Sequence, residues 1–296
     1  MTSLHTGRSG ALFSKAEDDQ LSKLNLLFDF PKYSTVSTST HSVFLWVHEL
    51  ARLGHLLPPV VQGHQDCVSI AWAQAVQDFL TVNSRGKAIP RVSSEVIYGG
   101  SRVLVGARKL QEPGCYSSWA ARFVTLYGSV IRAQIESFDL SNYNLNLVKQ
   151  FENGGIPDAV RAQLKPLEEL SPDIVLPLTC KVGKLTTFES VWTATGNSKP
   201  VPFACKRGFE MQRGKEGICE PSGEWNHSMV LRGRCTTASG KRCVAVQNSI
   251  GEYLGPINEV VPLVDGGSFK LPPCVFLVAE SVFAEICEKE DVFVLF

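Results

Sequence analysis

The sequence predicts an α+β fold with a helical first half and a strand-rich second half. Three observations predict it. Apolar residues recur at helical spacing in the first part of the chain, most continuously at Val68, Ala71, Trp72, Ala75, Val76, Phe79 and Leu80. After residue 200 the texture changes to short β-rich runs separated by Gly, Ser and Pro turns. The chain has 296 residues, 44% apolar and 20% charged, which is ordinary globular composition with material for one large domain or two small ones.

Each element follows in order. Residues 1–42 are polar and include the low-complexity stretch Ser34-Thr35-Val36-Ser37-Thr38-Ser39-Thr40. They read as an extended N-terminal arm with at most one short helix near Asp18–Phe28, ordered by another chain or by the outside of the body. Val43–Leu53 reads as a helix with Phe44, Val47, Leu50 and Leu53 on one face, ended by Leu57-Pro58-Pro59. The Val68–Leu80 stripe is broad enough for a central buried helix, with Cys67 in its first turn. Ser117–Tyr127 follows, with Ser117 as N-cap and Gly128 closing it. Further helices are expected at Pro157–Leu170, opened by Pro157, and at Thr187–Thr195, closed by Gly196. Strands are expected at Val201–Cys205, Ser228–Gly233, Cys243–Gln247 and Val275–Ala279. Gly99-Gly100-Ser101-Arg102 and Asp265-Gly266-Gly267-Ser268 read as turns. Lys206-Arg207, Arg232-Gly233-Arg234 and Lys241-Arg242 read as solvated loop surface.

Charge and cysteine usage narrow the function. Lys plus Arg is 29 and Asp plus Glu is 29, so the chain lacks the basic excess of a general nucleic-acid binder. No uncharged apolar run approaches the roughly 18 residues of a membrane span, and the first ten residues lack the apolar core of a secretory signal. The nine cysteines are an odd set without a CxxC pair, which disfavours zinc and a dense disulfide frame and points to reduced thiols in the cytoplasm of the producing cell. The six histidines contain no HExxH pair. No metal and no cofactor is expected.

The residue that carries chemistry is Cys67. A cysteine at a helix start has its thiolate stabilised by unpaired backbone N–H groups and by the positive dipole end, and a nearby imidazolium lowers its pKa further. Its plain alternative is a buried structural thiol, and the adjacent Asp66 carboxylate opposes activation. His227 opens one predicted strand and Asn248 closes the next. Two antiparallel strands joined by a turn bring such residues side by side, so that the Asn248 amide orients the ring that accepts the Cys67 proton. The alternatives are a satisfied polar histidine and a turn asparagine.

The order Cys67, His227, Asn248 resembles the papain-like cysteine peptidases. Further matches, in order over about residues 60–256, are Gln62-Gly63 ahead of the cysteine, Ser93-Ser94-Glu95-Val96-Ile97, Gly114-Cys115-Tyr116-Ser117-Ser118-Trp119-Ala120, Pro200-Val201-Pro202-Phe203 and Gln247-Asn248-Ser249-Ile250-Gly251. Asp66-Cys67-Val68-Ser69, Ile97–Arg102, Gly208-Phe209, Gly217-Ile218-Cys219 and Asp265–Phe269 resemble a diverged bacteriophage and bacterial branch. The resemblance implies a two-lobe fold: residues 1–42 as the arm and 43–296 as the papain-like domain, with a helical lobe at about 60–170 and a sheet or barrel lobe at about 171–296. It implies Cys67, His227 and Asn248 as catalytic residues with Gln62 as oxyanion donor, and Cys115, Tyr116, Ser117 and Asn226 as substrate-binding residues. The substrate would be a polypeptide or peptide, and virion structural proteins would be partners if the chain is carried in a phage particle. The alternative is a catalytically inert papain-fold subunit of such a particle, in capsid or tail.

Departures from the family pattern bear on activity. Gln62 lies five residues before Cys67, one fewer than in the family, with Gln65 as the alternative donor. Val68 and Ile250 stand where the family has tryptophans, and His64 stands where it has a cysteine. The stretch before Cys67 is expected to be too short for a family-type inhibitory propeptide.

Overall fold

Val68, Trp72, Ala75, Val76, Phe79 and Leu80 are all fully buried, and they draw the helix Cys67–Asn83 through the centre of the molecule. The computed structural model describes residues 10–23, 42–86, 88–170, 180–214, 216–250 and 260–296. Its helices are α1 (Lys15–Lys23), α2 (Trp46–Leu53), α3 (Cys67–Asn83), α4 (Ser94–Gly100), α5 (Ser117–Tyr127), α6 (Leu145–Gly154), α7 (Asp158–Arg161), α8 (Phe188–Gly196) and α9 (Glu280–Lys289). Its strands are β1 (Ala11–Leu12), β2 (Ser42–Phe44), β3 (Cys115–Tyr116), β4 (Gln134–Ile135), β5 (Phe138–Asp139), β6 (Val182–Lys184), β7 (Val201–Phe209), β8 (Pro221–Thr236), β9 (Arg242–Gln247), β10 (Val260–Pro262), β11 (Ser268–Lys270), β12 (Val275–Ala279) and β13 (Asp291–Leu295).

The second half forms an antiparallel sheet in the order β12-β9-β8-β7-β13-β6, with β2 added against β8. Phe188 and Val191 of α8 and Phe283 and Ile286 of α9 are buried with Phe203, Phe276, Val292 and Val294 of the sheet. The helical lobe has its own core, in which α3 meets Tyr98, Trp119, Phe123 and Phe151. The lobes join where α3 packs on β7, β8 and β13, with the Trp72 and Phe293 rings 5.8 Å apart.

The expected α+β division holds, with local differences. The expected helix Val43–Leu53 begins only at Trp46, because Ser42–Phe44 hydrogen-bond to β8 as a strand. Trp46 and Glu49 are buried, whereas Val47 and Leu50 are 46% and 42% exposed, so the inward face is rotated from the apolar stripe. Glu49 turns inward to meet Arg232, whose guanidinium also makes a two-pronged contact with Asp78 at 2.7 and 2.8 Å and donates to Gln247 Oε1. Arg232 and Arg234, read as loop surface, are 4% and 2% exposed within β8. Arg234 stacks on Trp192, 4.5 Å from the ring centre. Gly99-Gly100 is not a turn but the end of α4, running into a π-helical turn at Ser101–Val105. Glycine is needed at residue 100 because a Cβ there would lie 2.1 Å from the Phe123 ring. The helix expected to reach Leu170 stops at Arg161, since Lys165 and Ser129 exchange backbone hydrogen bonds and Pro166 follows. Ser117 is the first residue of α5 rather than its cap.

The described part of the arm is held by the body itself. Residues 11–12 pair in parallel with Cys115–Tyr116, and α1 packs on α5 through Glu17, which accepts from Trp119 Nε1 at 2.7 Å. The Ser/Thr stretch 34–40 lies outside the described residues.

Candidate active site

Cys67 is the first residue of α3 and is fully buried. Its thiol is pushed up to about 11, first by burial and then by the Asp66 charge, against backbone hydrogen bonds to the sulfur from Ser228, Gly10 and Val68. The Ser228 bond brings the sulfur to β8 one residue beyond His227. Cys205, the cross-strand partner of His227, and Cys115 are near enough for the Cys67 charge to raise both of their thiols further above their burial-raised values, each to about 12.

β8 and β9 bring His227 and Asn248 together as expected, with Nε2 of His227 2.7 Å from Oδ1 of Asn248. That oxygen also accepts the backbone N–H groups of Ser249 at 2.7 Å and Ile250 at 3.1 Å, which identifies it as the acceptor end of the amide. Nε2 of His227 therefore carries the proton, and in the neutral ring Nδ1 is the basic nitrogen. Trp225 lies edge-on to the imidazole, with ring centres 5.9 Å apart. Trp225 thus supplies an aromatic neighbour to this ring although Ile250 stands where the family has a tryptophan. The one signal in the sequence is that Trp225 lies two residues before His227.

Gln62 is 2% exposed and engaged at both ends: Nε2 donates to the His64 carbonyl at 3.1 Å and Oε1 accepts the Ser249 hydroxyl at 2.7 Å. The side chain thus ties the loop before Cys67 to the loop after Asn248. His64 donates from Nε2 to Glu152 Oε1 at 3.0 Å, and the same oxygen accepts the Tyr98 hydroxyl at 2.6 Å. Asp66 precedes the nucleophile, fully buried, with Oδ2 accepting the Tyr143 hydroxyl at 3.0 Å. Burial, with the Glu95 charge adding to it, pushes its carboxyl up to about 7 against the Tyr143 bond.

Among the expected substrate-binding residues, Cys115 and Tyr116 form β3. Tyr116 is half-buried against Trp119, with ring centres 4.8 Å apart. The Ser117 hydroxyl accepts from Trp72 Nε1 at 3.0 Å inside the helical lobe. Asn226 is exposed, at φ +49°, where β8 bulges between its Cys205 and Arg207 pairings.

Part of the stretch before Cys67 runs beside the nucleophile. Ala11 and Leu12 lie along β3, the Gly10 carbonyl accepts from Cys115 N at 2.8 Å, and the Gly10 backbone reaches the Cys67 sulfur. Backbone pairing holds them there together with the burial of Ala11, 2% exposed in the core of the helical lobe. A Cβ at Gly10 would sit 2.0 Å from the Gln65 carbonyl oxygen, so the approach requires glycine.

Among the described residues no group of His, Cys, Asp and Glu side chains is arranged to hold a metal ion, and no helix is long and apolar enough to cross a membrane. No family model matches the sequence, and no curated protein matches it. Solved structures match by shape. Xylellain, a cysteine protease from Xylella fastidiosa, aligns with a TM-score of 0.56 at 12% identity, over 100% of this chain and 98% of its own. Procathepsin B S9 from Trypanosoma congolense aligns at 0.55 and 12% identity, over 97% and 85% of the two chains. Digestive procathepsin L 3 of Tenebrio molitor larval midgut aligns at 0.52 and 13%, over 97% and 82%. At these identities the likeness is one of architecture, and the chain has the papain-like cysteine protease fold.

Proposed function

We propose that the protein is a thiol hydrolase of peptide bonds, held latent by its own residues 10–12. The observation that carries this reading is the His227–Asn248 contact, whose fixed acceptor oxygen leaves Nδ1 of His227 as a base on the strand that also donates to the Cys67 sulfur. In this reading Cys67 attacks the amide carbonyl while His227 Nδ1 takes its proton. The Cys67 backbone N–H and the Gln62 amide, once turned from His64, hold the oxyanion. His227 returns the proton to the leaving amine, and water deprotonated by His227 cleaves the thioester to acid and free thiol. Asn226 and the edge of β3 at Cys115 and Tyr116 receive the peptide once residues 10–12 leave, and Ser117 holds the β3 end from below. Two of the similar structures are named as procathepsins, which supports reading residues 10–12 as a restraint. We place the chain in the cytoplasm of the producing cell as an arm, 1–42, joined to the papain-like domain, 43–296.

A second reading, an inert papain-fold subunit of a phage particle, is favoured by the complete burial of Cys67 under Gly10. One experiment separates the two. Protein cleaved or truncated ahead of Phe13 is offered fluorogenic peptides and an epoxide thiol probe near pH 6. Hydrolysis and labelling, abolished in Cys67→Ala and reduced at least about a hundredfold in His227→Ala, support the enzyme. Folded, opened protein that neither turns over nor labels at Cys67 supports the inert subunit.

A further inference from the structure

Cys235 and Cys243 are direct cross-strand partners in the β8–β9 ladder. Directly opposed residues of an antiparallel pair project to the same face, with Cα atoms about 4.5–5.5 Å apart, inside the range a disulfide spans. Both thiols are fully buried in the same apolar cluster with Ala245, Val261 and Leu263. Each is raised first by burial, and the Cys243 charge is the next contribution at Cys235. Glu216 raises both thiols, whereas Lys241 lowers Cys243. In the described structure both are free.

We propose that Cys235 and Cys243 form a two-electron redox site that closes to a cross-strand disulfide by exchange with a low-molecular-weight disulfide. The pair lies close to the exposed hairpin tip Ala238–Lys241, so local opening of that tip brings reagent to it without unfolding the sheet. Cys243, next to the Lys241 ammonium, loses its proton and attacks the disulfide, forming a mixed disulfide and releasing one thiolate, which takes up that proton. Cys235 then loses its proton and attacks the Cys243 sulfur. The Cys235–Cys243 bond forms, and the second small thiolate leaves and is protonated. The protein gives up two electrons and the reagent becomes two thiols. The site does not depend on the proposed hydrolase activity, yet it bears on the same strands: β8 carries His227 and β9 leads into Asn248. The bond would pin the register of that pair at its far end, where a one-residue slip would send every side chain to the wrong face.

The full-length protein is incubated with oxidised glutathione, alkylated, digested with trypsin and analysed by mass spectrometry without reduction. Trypsin cleaves after Arg234, Lys241 and Arg242, so the two cysteines fall on separate peptides unless bonded. The expected result is a Cys235–Lys241 peptide linked to the peptide beginning at Cys243, released by dithiothreitol. A nine-residue loop also predicts an upward shift of the thermal midpoint by roughly 5 °C on oxidation, lost in Cys235→Ala and in Cys243→Ala. Both cysteines recovered as separate alkylated peptides after prolonged oxidation, or linked mainly to other cysteines, would overturn the proposal. So would the same midpoint shift in either variant.

Discussion

Replacing Asp66 with asparagine tests whether the carboxyl beside Cys67 is uncharged in the folded protein. The side chain is fully buried, and burial pushes its pKa from 3.8 up to about 7. The sign follows from proton counting. Between about pH 4 and pH 7 the unfolded chain has released this proton while the folded chain still holds it, so stability falls as pH rises through that window and is flat above it. A rise of roughly three pK units corresponds to about 4 kcal/mol of stability lost by the upper end of the window. The amide introduced by Asp66→Asn is neutral at every pH and still offers Oδ1 to the Tyr143 hydroxyl. D66N should therefore match wild type near pH 4 and gain on it progressively, by up to about 4 kcal/mol near pH 8. Asp78, raised to about 6, adds a similar slope to both proteins and cancels in the difference. Urea unfolding of both proteins across this range, after checking that each unfolds in one step, measures it. A difference that does not change with pH, or a variant less stable than wild type near pH 8, would refute the reasoning. The same substitution removes a charge that raises the Cys67 thiol, so alkylation of Cys67 in opened protein should set in at lower pH.

Three further outcomes are expected. Removing residues 1–12 should raise the rate of Cys67 alkylation by iodoacetamide at least about tenfold, because a fully buried thiol reacts only through opening; an unchanged rate would mean another segment closes the site. Gly10→Ala should act in the same direction without truncation, since its Cβ would collide with the Gln65 carbonyl; thiol labelling timed by mass spectrometry reads it. Arg232→Met should cost about 3–5 kcal/mol in denaturant unfolding, because it strands Asp78 and Glu49 as buried carboxylates. A loss below about 1 kcal/mol would show that both carboxyls protonate or rehydrate without penalty.

The parts of the fold legible in the sequence are those written in side-chain periodicity. The α3 stripe and the apolar runs Met229–Leu231 and Cys243–Val246 mark elements that are buried, and there the pattern and the structure agree. The His227–Asn248 contact follows from strand order alone. What stayed hidden depends on partners far along the chain. Glu49 and Arg232 are 183 residues apart, so the inward turn of α2 and the burial of a basic tripeptide leave no local trace. Gly10–Leu12 is held by main-chain hydrogen bonds, by the burial of Ala11 and by a close approach that needs Gly10, and one glycine with one alanine is too short a pattern to announce that the segment lies against the nucleophile. α9 sets Val282, Phe283, Ile286 and Cys287 at helical spacing, but over only ten positions directly after a strand, which is too short a stripe to stand out in the sequence.

α3 is fastened to β8 at two places. Near its start the Cys67 sulfur meets the Ser228 amide, and eleven residues on Asp78 grips Arg232. Eleven helical residues span about 16 Å and four strand residues about 13 Å, so the two fastenings are of matching length along both elements. A body held at two separated points cannot pivot about either one. Swinging the helical lobe away from the sheet would have to break the buried Arg232–Asp78 contact, and lifting residues 10–12 from β3 would have to expose the buried Ala11 as well as break their main-chain bonds. The helical lobe and the sheet are thus braced against each other as one frame.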